Sequence, residues 1–81
     1  MELKITAEDI ARGKRARPRS CPGALALQRK TGDMSAYMGY SSARSWRTQW
    51  TTSLALRRWI LAFDRKGPVA PASFRLREEV I

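Results

Sequence analysis

The chain predicts an α+β fold in the order β-α-α-β-β-α-β, and three observations predict it. Stretches near 2–5, 44–52 and 73–78 alternate apolar and polar side chains with the two-residue period of a half-buried strand. Thr6, Ser20 and Ser53 each stand at the start of a helix-forming run, where a hydroxyl can accept from the first unpaired N–H groups. The run "LALRRWILAFDRKG" repeats its apolar residues with the 3.6-residue period of an amphipathic helix. These elements fit one small domain over residues 1–81, with the helices on one face of an antiparallel or mixed sheet.

Each element has a local reason. In "MELKIT", Leu3 and Ile5 share one side and Glu2 and Lys4 the other, which predicts a short strand. Thr6 then caps a helix over 7–12, with Asp9 three residues on as a relative of the capping-box Glu and Gly13 after its last turn. Residues 14–19 contain Pro18 and no periodicity, which predicts a loop. Ser20 is the cap expected for the next helix, with Pro22 in its first turn, Arg29 and Lys30 at its negative end and Gly32 closing it. "MSAYMGY" and "RSWRTQWTT" read as a hairpin with its turn near Ser41 to Ala43. In that reading Trp46, Thr48 and Trp50 share one face, and Ser45, Arg47, Gln49 and Thr51 the other. Ser53 caps the longest helix, whose stripe is Leu56, Trp59, Ile60 and Phe63 and whose end is Gly67 before Pro68. "SFRLRE" alternates again, with Phe74 and Leu76 inward and Arg75 and Arg77 outward.

Composition narrows the function classes. Sixteen Lys plus Arg stand against seven Asp plus Glu, a net charge of +9, and twelve of the sixteen cations are Arg. Arg binds phosphate or carboxylate in a bidentate way and stacks on flat rings, so a polyanion or a nucleic-acid-loaded surface is the expected partner. The single Cys and the absence of His argue against an internal disulfide, a zinc site and acid–base catalysis. No Ser/His/Asp set and no Gly-rich phosphate loop is present, so neither an enzyme nor a cofactor is expected. The charged N-terminal stretch and the lack of a long apolar run predict a soluble, cytoplasmic protein without a membrane span. Cys21 is expected to pack as a small buried residue rather than to react. Trp46 and Trp50, with Phe74, are expected in the core rather than as a platform for bases.

The cations fall into three sets, and these are the candidate binding residues. A loop set comprises Arg12, Lys14, Arg15, Arg17 and Arg19; a sheet set, opposite the tryptophans, comprises Arg47, Arg75 and Arg77; a helix set comprises Arg57, Arg58 and Arg65, with Lys66 nearby. Any one of them alone reads as a solvated side chain. Their sum on a small body, with few acids near the loop set, reads as a binding surface. No helix-turn-helix, zinc finger or ribbon motif is present, so sequence-specific reading of bases is not expected.

The stretches "ITAEDIARG", "CPGALALQRKTG" and "AFDRKGPVAPASFRL" together resemble a loose group of small phage-encoded proteins. These share a D-I-x-x-G opening, a C-P-x-A-L-A-L helix start and an F-D-x-G-x-P-V-x-P-x-x-F ending. The matching positions are Asp9, Ile10, Gly13, Cys21, Pro22, Ala24 to Leu27, Phe63, Asp64, Gly67, Pro68, Val69, Pro71 and Phe74. One departure is the two-residue step Arg65–Lys66 between Asp64 and Gly67. The resemblance implies a phage origin, a site of action in the host bacterial cytoplasm, and a role in binding a host machine. Anti-CRISPR inhibitors are among such proteins, some acting on type I effector complexes. The expected function is therefore a monomeric, non-enzymatic inhibitor that binds a host protein–nucleic-acid complex, a type I CRISPR effector, through its Arg-rich surface and disturbs DNA binding. The alternatives are a non-sequence-specific DNA- or RNA-binding accessory protein and a structural phage protein that contacts packaged genome.

Overall fold

The computed structural model describes residues 1–79. Its elements are β1 (Glu2–Ile5), α1 (Ala7–Arg12), α2 (Pro22–Thr31), β2 (Tyr37–Met38), β3 (Ser42–Ser45), β4 (Thr48–Thr51), α3 (Leu54–Asp64), β5 (Ala72–Arg75) and β6 (Arg77–Glu78). The α+β class and the predicted order of helices hold. Two strands exceed the predicted number because two β-patterned stretches each break in two, at Trp46–Arg47 and at Leu76.

The second break changes the sheet. One sheet was expected, and there are two, both antiparallel: β1 with β5, and β2-β3-β4-β6. Leu76 is wholly buried and donates its N–H to the Met1 carbonyl at 2.7 Å, so the chain leaves one sheet and enters the other at the residue that enters the core. Within the larger sheet, Met38, Ala43 and Trp50 lie opposite one another on adjacent strands and are buried. The next row, Tyr37, Arg44 and Gln49, faces outward. α2 packs on β1, β2 and β3 and so joins the two sheets.

Local chemistry sets the helix ends. Thr6 accepts from the Asp9 N–H at 3.2 Å while its own N–H donates to Asp9 Oδ2 at 2.9 Å, completing the predicted capping box. Asp9 also receives Arg29 of α2 at 2.7 and 3.0 Å, an ion pair that clamps α1 to α2. Cys21, not Ser20, caps α2: its Sγ accepts from the Ala24 N–H at 3.4 Å. The predicted cap was one residue early because Ser20 belongs to the turn that closes the preceding loop. Gly32 ends α2 in the left-handed region, at φ 77°. A Cβ on Gly23 would overlap the Met38 sulfur, so the approach of α2 to β2 requires glycine there.

Leu3, Ile5, Leu27, Leu56 and Leu76 are wholly buried and draw β1, α2, α3 and the β5–β6 junction into one core. Each such side chain contributes about 1.5–3 kcal/mol by leaving water. α3 adds aromatic packing: Trp59 stacks on Phe63, centroids 5.9 Å apart, and meets Phe74 edge-on at 6.2 Å. No helix among the described residues is long and apolar enough to cross a membrane.

Candidate nucleic-acid interface

The basic loop is held by its own backbone. Lys14 N–H donates to the Ser20 carbonyl at 2.8 Å, and Ser20 and Cys21 N–H both donate to the Arg17 carbonyl. The core grips it from outside. Met38 N–H reaches the Pro18 carbonyl at 2.8 Å, and the buried Gln28 amide donates to the Arg19 carbonyl at 2.9 Å. Its apex, Ala16, takes a positive φ of 53° and donates its N–H to Asp64 Oδ1 at 3.0 Å. Arg15 donates to the Phe63 carbonyl at 3.2 Å and lies over the Phe63 ring, 5.5 Å from its centroid. α3 has no basic residue in its last turn, so this Arg from the loop serves its negative end.

The loop is thus a fixed rim on which Lys14, Arg17 and Arg19 are exposed and Arg15 is docked against α3. Arg15, Arg17 and Arg19 surround an open concavity of about 700 Å³. Among the described residues the ion pairs are Arg12–Glu8 and Arg29–Asp9, so Lys14, Arg15, Arg17 and Arg19 have no ion-pair partner there, and all but the Phe63-docked Arg15 guanidinium are without a side-chain bond. A row of guanidinium groups on a fixed backbone can meet successive phosphates with little further ordering.

The other predicted sets fare differently. Arg12, at the end of α1, is paired with Glu8 at 3.2 Å. The sheet set does not exist as one face. Arg47 lies in the β3–β4 turn, Arg75 in the smaller sheet opposite Glu2, and Arg77 in the larger sheet beside Glu78 and Glu79. In the helix set, Arg57 is half-buried, donating to Thr52 Oγ1 at 3.1 Å with its guanidinium 6.0 Å from the Tyr40 ring centroid. Arg58 and Arg65 are exposed on α3 and at its end.

The hairpin tip overturns the expectation for Trp46. The turn near Ser41 to Ala43 lies slightly earlier, since β3 already begins at Ser42, and a second reversal occurs at Trp46–Arg47. Trp46 is 66% exposed, whereas Trp50 is 8% exposed and in the core as expected. Trp46 also takes φ 53°, at the first position of a two-residue turn where glycine is the ordinary choice. A bulky residue there costs of order 1–3 kcal/mol. Asp33 sustains it: Oδ2 accepts from the Trp46 N–H at 2.8 Å and the Ser45 hydroxyl at 3.3 Å, and Oδ1 accepts from the Ser35 N–H and hydroxyl. The Trp46 N–H foremost, then Ser35, hold the Asp33 carboxyl below the ordinary aspartate range. The indole N–H donates to the Thr31 carbonyl at 3.2 Å, so the ring itself is pinned.

Cys21 is buried and contributes structure. Burial, foremost, pushes its thiol pKa up, against the Ala24 N–H bond that lowers it. Arg44, absent from the predicted sets, is exposed on the outer row of β3 and lines one depression with Arg19, Tyr37 and Trp46. Its signal is the alternation of buried Ala43, exposed Arg44 and buried Ser45. That alternation becomes readable only when the turn is placed at Trp46–Arg47, which lack the Gly, Asn or Asp of common hairpin turns. Comparison with family models, curated proteins and solved structures finds no match for this chain.

Proposed function

We propose that this protein is a non-enzymatic binding module that engages phosphate-rich nucleic acid on a host complex through the rim Lys14, Arg15, Arg17 and Arg19. The observation that carries this reading is the fixed loop. Its backbone is bonded to itself, to α2, to β2 and to α3, while its cations lack ion-pair partners among the described residues, and Lys14, Arg17 and Arg19 are exposed beside an Arg15 docked on Phe63. Arg19 extends the surface towards Arg44, and Arg58 and Arg65 add charge from α3. With the resemblance to phage-encoded proteins, the reading becomes that of an inhibitor of a type I CRISPR effector. The rim would meet the guide or target strand carried by that complex and interfere with target DNA binding. A net charge of +9 speaks for binding nucleic acid and against imitating it.

A second reading is direct, non-sequence-specific binding of DNA or RNA with no protein target. The rim's lack of acid pairing among the described residues favours it, because such a surface needs no other recognition element. Salt separates the two. A purely electrostatic complex with a random duplex loses affinity steeply from low to near-physiological salt, whereas an inhibitor docked on an effector keeps a salt-resistant component from apolar contacts. The test is duplex binding by anisotropy at both salts, then capture of a type I effector, using wild type and the K14E/R17E/R19E variant. Unchanged binding by a folded triple variant in both assays would sink the proposal.

A further inference from the structure

One feature is not used by a phosphate-binding rim: the exposed, strained and pinned Trp46. A tryptophan that served only to close the hairpin would be better replaced by glycine, and one that served the core would be buried as Trp50 is. Its surroundings are a shallow depression of about 220 Å³ that Arg19, Ser35, Tyr37 and Arg44 share with it. Arg19 comes from the rim and Arg44 from the outer row of β3, so cations from two separate elements border the indole. The one acid lining that depression, Asp33, stays ionised, but it is only 8% exposed with its oxygens turned to four donors, and the two exposed arginines outnumber it.

We infer that Trp46 is a stacking platform for an unpaired base, with Arg19 and Arg44 on the flanking phosphates, so that the preferred ligand is single-stranded rather than duplex nucleic acid. The inference rests on the proposed nucleic-acid reading and deepens it. A flat indole offers its face to any base, and bases become available for stacking only where the strand is unpaired. The pinned ring lowers the ordering cost of the contact: the Thr31 carbonyl holds the indole N–H, and Asp33 holds the backbone beneath it. Tyr37, half-buried on β2 directly opposite Arg44, extends the aromatic surface along the strand path. A protein partner is the competing occupant of an exposed Trp. It is disfavoured by Arg19 and Arg44, guanidinium groups from two separate segments that suit the phosphates on either side of a stacked base.

The test compares a single-stranded oligodeoxythymidine of about 12 nucleotides with a random duplex of equal length, using wild type, W46A and W46F. Expected is tighter binding of the single strand by wild type, with a loss of about 5- to 100-fold in W46A, partial retention in W46F and duplex affinity unchanged in both. Emission of wild-type Trp46 should be quenched on adding the single strand, and that quench should vanish in W46F. This second readout uses the intact protein and holds even if W46A folds poorly. Equal single-strand binding by wild type and W46A, without quenching, overturns the stacking inference and leaves the rim reading in place. Binding of neither nucleic acid by wild type overturns both. Protection of Trp46 by a nucleic-acid-free effector protein, and not by the oligonucleotide, assigns it to a protein contact and overturns the inference.

Discussion

The basic loop and the tip of the β3–β4 hairpin solve similar problems in different ways. Each lifts a residue with φ of 53°, Ala16 in one and Trp46 in the other, and each fastens that residue's N–H to an aspartate. In the loop the aspartate is Asp64 at the end of α3, and most of the remaining bonds are backbone to backbone. At the tip it is Asp33, which collects four donors, and the side chain itself is tied down through the indole N–H. The loop therefore fixes the chain and, apart from Arg15 on Phe63, leaves its cationic side chains free, which suits a partner whose charge is spread along a backbone. The tip fixes both, which suits a partner that must present a flat group at one place. Position and charge have been separated between two regions of one small surface, joined at Arg19.

Reversing charge in the loop alone should have the strongest consequence. K14E/R17E/R19E should weaken nucleic-acid binding by about 100-fold or more at near-physiological salt and flatten its salt dependence, measured by anisotropy titrations. Its melting temperature should stay near that of wild type, because none of these three side chains has an ion-pair partner among the described residues. A large fall in melting temperature would show that the loop cations stabilise the fold instead.

Removing each aspartate in turn separates the two regions further. D33A strips the tip of its organising carboxylate; it should lower the melting temperature and make Trp46 more accessible to acrylamide while leaving duplex binding close to wild type. D64A removes one acceptor from Ala16 and should cost about 1 kcal/mol in denaturant unfolding, with a few-fold loss in duplex affinity. If D33A and D64A give the same pattern, loop and tip are not independent.

Trp46→Gly should be smaller again in stability and opposite in sign to most substitutions. Relief of the left-handed backbone offsets the lost indole bond, so the unfolding free energy should stay level or rise by up to about 1 kcal/mol. Single-strand binding should nevertheless fall. A clear loss of stability would mean that the indole is structural.

Acid sensitivity should be the weakest of these responses. Burial pushes the Asp9 carboxyl up, but the Arg29 guanidinium and the Thr6 N–H outweigh it, so Asp9, like Asp33, sits below the ordinary aspartate range. A carboxylate depressed in the folded state stabilises it above the unfolded value, and that contribution is lost as pH falls below about 4. Acid should therefore loosen the α1–α2 clamp and the hairpin tip first. The loop, held mostly by backbone bonds that do not titrate, should respond last in hydrogen exchange followed by pH.

Much of the scaffold is legible from neighbouring residues. The capping box of Thr6 and Asp9, the Ser53 cap, the Gly32 terminus and the stripe of Leu56 and Phe63 depend on contacts within a turn or two, and each forms as the local pattern predicts. The Cys21 cap was missed because Ser20 is the better cap by type, and its use in closing the loop depends on Arg17 and Lys14. The candidate site was half legible. The rim's composition is plain from residues 14–19, but the sheet set dissolved, and Arg44 and Trp46 took its place.

Short-range periodicity and composition were enough to set the α+β class, the helix limits at Thr6, Gly13, Gly32 and Ser53, and the strong positive charge. By contrast, Ser20 lay one residue early and the Gly67 end overran, since α3 stops at Asp64 with Arg65 as its cap. Three things waited for the folded chain: which cations stand free, where the hairpin turns, and that Leu76 passes the strand from one sheet to the other. Separation along the chain explains the difference. Trp46 reaches Asp33, Ala16 reaches Asp64 and Arg29 reaches Asp9 across intervals that no local window spans, and these bonds settle which side chains are left for a partner.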